Sequence, residues 1–322
     1  MSSEFNIIQN YFNWQQADDS VCIGVGDDAA VLSLASRKNQ ELIISVDTFI
    51  EGVHFPENTP PEAIGHKALA VNLSDLAAMG ADPAWFTLAI SLPESNSQWL
   101  KAFSLGLKKL ADLHNIILIG GDTTRGSLSI TIQVMGFATS KQALLRSNAK
   151  PKDKIYVSGT LGDAAIGLAL IQQRLDHGQL SSAANKFCQY ALNYPQPQND
   201  LASIIRPYAN ACLDISDGLL QDLKHILTSS NVGARLDLNA IPLSSATLEL
   251  GRDKALPYAL SGGDDYQLLF TVSPDNETKL LDDLSRTKMK ITCIGEINMH
   301  CLEISDYSGN IISATGYQHF YG

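Results

Sequence analysis

Aspartates recur in one kind of setting along this chain. Asp27 and Asp28 follow Gly24 and Gly26, Asp47 closes the apolar run LIISVD, and Asp75 interrupts a stretch of Ala, Leu and Val. Asp122 follows Gly120 and Gly121, while Asp214 and Asp217 bracket Ser216. Each place has an ordinary explanation: Gly-Asp suits a hairpin turn, a helical Asp is often solvated, and an Asp before a helix is an N-cap. Capping accounts for one of Asp214 and Asp217, not both. Carboxylates that would repel one another are tolerated when a divalent ion lies between them. The repeated setting therefore predicts that these groups converge on hard cations. Magnesium fits best, being bound through a few carboxylates plus the phosphates of a substrate.

The elements that must hold these groups can be read in outline. Residues 66–83, HKALAVNLSDLAAMGADP, read as a helix with Pro61 and Glu62 in its first turn. Asn72, Asp75 and Met79 share one face, and Ala70, Ala77, Ala78 and Gly80 would let a backbone or ligand come close. Asn72 and Ser74 are candidates for orienting the Asp75 carboxylate. Before this helix come a short amphipathic helix over 5–14, two β-type runs over 21–34, and a buried strand over 42–47 ending in Asp47, with His54 in a loop beyond. After it come a strand over 85–93, an amphipathic helix over 98–114, a buried strand over 116–119 and an alternating strand over 127–138.

The polar connector over 136–154 marks a boundary, giving domains at 1–140 and 150–322. The second half opens with a strand, KIYVSG, and a Thr160-Leu161-Gly162-Asp163 turn ahead of a small-residue helix. That turn is either a phosphate cradle or a plain strand-to-helix connection. Ser216 or Asp217 would cap the next helix, and Gly262-Gly263-Asp264-Asp265 precede a strand.

Composition narrows the function. With 322 residues, 45% of them hydrophobic, the chain is an ordinary globular protein long enough for two domains. A net charge of −11 argues against nucleic acid or an anionic membrane as partner, and an anionic substrate would need positive charge from elsewhere, such as metal ions. Five scattered cysteines without a C-x-x-C pair suggest buried thiols rather than a disulfide framework or zinc site. The first residues lack the pattern of a signal peptide and no long apolar run occurs, so a cytoplasmic location is expected. Neither a P-loop nor the protein-kinase motif set is present.

The ordered blocks GDDAAV (26–31), SVDTFIEGVHF (45–55), HKALAVNLSDLAAMGADP (66–83), LIGGDTTRG (118–126), VSGTLGDAAIGL (157–168), LDISDGLLQDL (213–223) and GGDDYQLLF (262–270) carry a resemblance. It spans nearly the whole chain. The sequence resembles the thiamine-monophosphate kinases, within the superfamily typified by aminoimidazole ribonucleotide synthetase. The resemblance implies a two-domain α/β fold of the α+β type, an N-terminal domain that binds ATP and magnesium and pairs its sheet across a homodimer, and a C-terminal α/β domain. It implies ATP-dependent phosphorylation of thiamine monophosphate to the diphosphate. Carried over by motif, Asp28, Ser45, Asp47, Asp75, Asp122, Asp214 and Asp217 hold magnesium, with Asp75, Asp122 and Asp217 central to catalysis. Gly121, Asp122, Arg146 and Ser216 contact the nucleotide, and His54, Asp264 and Tyr317 face the thiamine phosphate. Family members commonly read GGEDYEL where this chain reads GGDDYQL, so Asp264 is one methylene shorter and Gln267 is uncharged.

Two other classes fit parts of the pattern. A synthetase or maturation enzyme of the same superfamily would show a reactive cysteine near a terminus, whereas this chain ends HFYG and places Cys22 in a strand-like run. A non-enzymatic magnesium and nucleotide sensor would bind the same ligands without forming thiamine diphosphate.

Overall fold

A computed structural model describes residues 4–14, 18–26, 29–300, 302–314 and 316. Asp27, Asp28 and Tyr317 lie outside the described residues. The chain divides into two compact units: Met1–Leu76 with Ala81–Lys141, and Ala77–Gly80 with Gln142–Gly322.

In the first unit, helix α1 (Glu4–Ile7) passes into a π-turn at Ile8–Phe12. The expected continuous α-helix over 5–14 is therefore shorter and changes winding. A small antiparallel ribbon follows, β1 (Val21–Ile23) with β2 (Val31–Leu32). The main sheet contains β3 (Gln40–Ile50), β4 (Asp82–Leu92), β5 (Ile117–Arg125) and β6 (Ser129–Thr139), ordered β3-β6-β4-β5. Its β3–β6 and β6–β4 pairs are antiparallel and β4–β5 is parallel.

Helices α2 (Pro61–Ala78) and α3 (Ser97–Leu113) complete this part of the chain. They approach through glycine: a Cβ on Gly65 would lie 2.1 Å from the Phe103 carbonyl oxygen, and one on Gly106 would lie 1.9 Å from that of Glu62. Ala70 and Ala77 have no exposed surface. Of the two neighbours expected beside the small residues of α2, a backbone or a ligand, the burial of Ala70 and Ala77 fits protein packing.

The helix also ends earlier than residue 83. Gly80, at φ +65°, supplies a left-handed cap in which its N–H donates to Ala77 and that of Ala81 donates to Leu76, at 2.9 and 2.8 Å. Asp82 and Pro83 already belong to β4. Strand β3, conversely, is longer than its apolar run. Asp47 lies in its interior, and the strand is an edge whose Leu42, Ile44 and Val46 are 44%, 51% and 56% exposed. The run over 42–47 is consequently not a buried strand.

The second unit holds a six-stranded sheet made from β7 (Lys154–Ser158), β8 (Ala209–Asp214), β9 (Gly233–Leu236), β10 (Leu268–Val272), β11 (Ile291–Asn298) and β12 (Ile304–Asp306). Its order is β12-β9-β11-β7-β10-β8, antiparallel throughout except for β12–β9. Helices α4 (Asp163–Ile171), α5 (Ser182–Asn193), α6 (Asn199–Ile205), α7 (Leu219–Ser230), α8 (Ser245–Leu248), α9 (Arg252–Ser261) and α10 (Pro274–Leu284) surround it. Every residue of β10 is buried, as expected of a strand covered on both faces. Leu269 joins a core with α7 residues Leu220, Leu223 and Leu227, while Leu268 and Phe270 join Leu201 of α6 and Leu280 of α10. These mainly antiparallel sheets make the fold α+β. Among the described residues no helix is long and apolar enough to cross a membrane.

Candidate functional site

In the first unit, α2 presents Asn72 and Asp75 one turn apart to the same stretch of β3. Ser45 Oγ donates to Asp75 Oδ2 at 2.5 Å, and the Asp47 N–H donates to Asn72 Oδ1 at 3.1 Å. The buried Asn72 amide also donates to the Ala68 carbonyl at 2.9 Å, which fixes its orientation. Asn72 therefore grips the backbone of Asp47, rather than the Asp75 carboxylate it was expected to orient. Alternation along β3 then turns Ser45 and Asp47 toward α2 and the neighbouring apolar residues outward.

The result is a carboxyl pair. Burial first, then the negative charge of Asp75 and a hydrogen bond shared with it, push the Asp47 carboxyl up to about 6. A divalent cation bound by oxygen would relieve that repulsion, and the Ser45 hydroxyl adds another oxygen. The donor chemistry fits magnesium. Among the described residues, however, no three His, Cys, Asp or Glu side chains gather to hold a metal.

Asp122 is not in a turn after a strand: β5 continues through Gly120, Gly121 and Asp122 to Arg125. In the sheet register Asp122 lies beside Ala89, Thr131 and Thr48, whereas Gly121 lies in the row of Leu88, Ile132 and Asp47. Successive rows face opposite sides, so this unit does not bring Asp122 to the Asp47–Asp75 pair. Gly121 has a steric reason to be glycine, since its φ is +154° and a Cβ would lie 1.8 Å from the Leu88 oxygen. His54 is half-buried in the loop after β3. Its Nδ1 accepts the Ile50 N–H at 3.1 Å and its ring stacks on Phe49, placing the neutral ring's proton on Nε2.

In the second unit, Asp214 is buried at the end of β8, followed by half-buried Ser216 and Asp217. Neither of these two caps α7. The N-cap is Gly218, at φ 119°, which has no side chain for the task. The N–H groups of Ser216, Asp217 and Gly218 instead all donate to Asp222 Oδ2, at 3.0, 3.0 and 3.1 Å. Asp217 Oδ2 accepts from Gln221 at 3.2 Å. The N–H groups at this helix start are thus met by a carboxylate of the helix itself.

The 160–163 turn shows the same arrangement. The Gly162 N–H donates to both carboxyl oxygens of Asp265, at 3.0 and 2.9 Å, while Thr160 and Ser244 donate to Asp163. It is a connection satisfied from within, and the phosphate alternative has no support from its geometry. Asp264 is held at φ +70°, with its N–H donating to the Ser216 carbonyl at 2.9 Å and its Oδ1 accepting from Tyr266 at 3.2 Å. The GGDD loop therefore meets the loop of Ser216 and Asp217. Gln267 accepts from Ser158 Oγ at 2.6 Å.

Arg146 is exposed, and after burial its charge is the main influence lowering the His225 pKa, which locates it near α7. Of the cysteines, Cys188 and Cys212 are buried as expected but Cys22 and Cys293 are exposed. Sequence reasoning passed over Asp222 and did not assign Asp265 a task. The signal for Asp222 was a carboxylate four residues past a Gly that cannot cap its own helix.

Models of AIR synthase related proteins match this chain in both halves, the N-terminal domain over residues 26–139 and the C-terminal domain over 150–302. A thiamine-monophosphate kinase of Escherichia coli (strain K12) is 43% identical over 323 residues, covering 98% of each protein. The crystal structure of thiamine-monophosphate kinase from Stenotrophomonas maltophilia K279a has a TM-score of 0.85 and 46% identity, covering 91% of this chain and 93% of that one. The complex of AaThiL with AMPPCP and TMP matches with a TM-score of 0.77 and 29% identity over 91% of each chain. The chain belongs to the thiamine-monophosphate kinase family, within the AIR synthase related proteins.

Proposed function

We propose that the protein transfers the γ-phosphoryl group of ATP to the phosphate of thiamine monophosphate, forming thiamine diphosphate and ADP. The carboxyl pair of Asp47 and Asp75 carries this reading, because it places a cation-seeking site on a rigid strand and helix in a chain aligned almost end to end with such kinases. An acceptor oxygen of thiamine monophosphate attacks the γ-phosphorus as the bond to the ADP oxygen breaks. No covalent enzyme intermediate is needed, and catalysis is positioning and charge stabilisation.

Magnesium, when bound, would supply the positive charge that lets two polyanions approach. The proposed ligands of magnesium ions are Asp28, Ser45, Asp47 and Asp75 and, at a separate ion, Asp122 in the first unit, and Asp214 and Asp217 in the second. Gly121, Asp122, Arg146 and Ser216 contact the nucleotide, with Arg146 contributing a fixed charge. His54, Asp264 and Tyr317 recognise the substrate, and the Ile50 and Phe49 contacts hold the His54 ring in place. The first domain is assigned ATP, magnesium and dimerisation. Its exposed apolar row on edge strand β3 supports a homodimer, since such an edge invites pairing. A cytoplasmic location accompanies this biosynthetic role.

The test is incubation of purified protein with ATP, magnesium and thiamine monophosphate. Thiamine diphosphate and ADP are expected in equal amounts. Nucleotide binding without product would instead identify a sensor.

A further inference from the structure

The loop from Ile215 to Gly218 is held through its backbone almost residue by residue. Ile215 donates to the Gln267 carbonyl at 2.8 Å and accepts from the Tyr266 N–H at 2.8 Å, and the Ser216 carbonyl accepts from Asp264 at 2.9 Å. On the other side, one carboxylate oxygen of Asp222 receives the N–H groups of Ser216, Asp217 and Gly218 within 3.1 Å. The Asp222 N–H in turn donates to the Gly218 carbonyl at 3.0 Å. Asp222 is 4% exposed and sits on the first turns of α7, so its carboxylate is a fixed post rather than a mobile surface group.

The loop's conformation requires such a post. Gly218 adopts φ +119°, and a Cβ there would lie 2.8 Å from the Ser261 carbonyl carbon, so a side chain at the N-cap position is excluded. A carboxylate reaching back from the helix does the capping that Ser216 or Asp217 would otherwise perform. We propose that Asp222 is a positioning residue: by gathering the three N–H groups it sets the direction of the Ser216 and Asp217 side chains toward magnesium and nucleotide. This rests on the functional assignment above for those two residues. It gives Asp222 no contact with substrate.

The test compares wild type, Asp222→Ala and Asp222→Asn by steady-state kinetics and by calorimetric titration with AMPPCP and magnesium. In Asp222→Ala the N–H groups lose their acceptor, and the KM for ATP and the half-saturating magnesium concentration should rise at least about tenfold, with the KM for thiamine monophosphate within about twofold. Asp222→Asn keeps an acceptor oxygen in place and should recover most of the loss. If the alanine variant does not fold, Asp222→Ser, whose shorter side chain cannot reach all three N–H groups, takes its place, a larger change in ATP than in thiamine monophosphate dependence supporting the role. Equal changes in both substrates, or unchanged nucleotide affinity in the folded alanine or serine variant, overturn it. Should wild type bind nucleotide but form no thiamine diphosphate, the functional reading fails while the titrations still judge Asp222.

Discussion

In the first unit the Asp47 carboxyl faces the carboxyl of Asp75, whereas in the second the carboxyls of Asp222 and Asp265 face peptide N–H groups. All three have raised pKa values: Asp47 to about 6, Asp222 to about 7, and Asp265 well above the usual range. The size of the shift therefore does not separate a site from a structural carboxylate. Its causes do. Burial dominates each, but around Asp47 the further influence is Asp75, which raises the value again. Around Asp222 and Asp265 the largest influence after burial is a backbone hydrogen bond that favours the charged form, and the nearby charges of Asp217 beside Asp222, and of Asp163 and Asp264 beside Asp265, raise the value only behind it. A carboxylate surrounded by donors holds loops, and one set against another carboxylate calls for a cation.

The strongest way to break this contrast is Asp75→Asn. If Asp75 holds magnesium for the transfer as proposed, removing its carboxylate lowers kcat by about a hundredfold to a thousandfold. The metal-free variant should nevertheless unfold at the same temperature as wild type or higher, because the charge facing Asp47 is gone. Near-normal turnover at saturating magnesium, or a marked loss of stability, would show that Asp75 is structural after all.

Asp265 should behave in the opposite sense. Asp265→Ala leaves the Gly162 N–H without its acceptor and should cost about 1–3 kcal/mol by urea unfolding, the usual penalty for a buried group left unpaired. Its pH dependence sharpens the point. Because the folded pKa is raised, the native state keeps a proton that the unfolded state releases near pH 4, so this group's contribution to stability falls as pH rises through that window. Asp265→Asn has no such proton, and its stability relative to wild type should improve from pH 4 upward. Parallel stability curves for the two proteins would contradict the raised pKa.

The contrast also explains what could be read in advance. Runs such as IILI and the alternation over 127–138 located strands, and aspartates at the edges of apolar runs singled out Asp47, Asp75, Asp122, Asp214 and Asp217 as candidates, of which the structure sets Asp47 against Asp75. What a single chain cannot display is which partner each carboxylate meets. Asp222 looks like one more polar residue of an amphipathic helix until the fold turns three N–H groups onto it. Strand limits failed for a related reason. β3 and β5 continue past their apolar runs because pairing with β6 and β4, not hydrophobicity, carries the ladder through Asp47 and Asp122. Close helix packing at Gly65 and Gly106 was equally hidden, since each glycine matters only through the carbonyl opposite it.

Asp264 stands between the two kinds of carboxylate and offers the smallest but most specific test. Its Oδ1 accepts from Tyr266 as a structural group would, yet its backbone sits at φ +70°, a region that L residues enter at a cost. Glycine would occupy that conformation without the steric penalty, although it loses more chain entropy on folding. The balance predicts that Asp264→Gly changes stability by no more than about 0.5 kcal/mol, with the sign favouring the variant. If the carboxylate faces thiamine monophosphate, the same variant raises the KM for that substrate several-fold and leaves the KM for ATP unchanged. A strained aspartate whose replacement improves folding while weakening one substrate is retained for recognition. If neither KM moves, Asp264 belongs with Asp265, and the substrate contact must come from another residue of the loop.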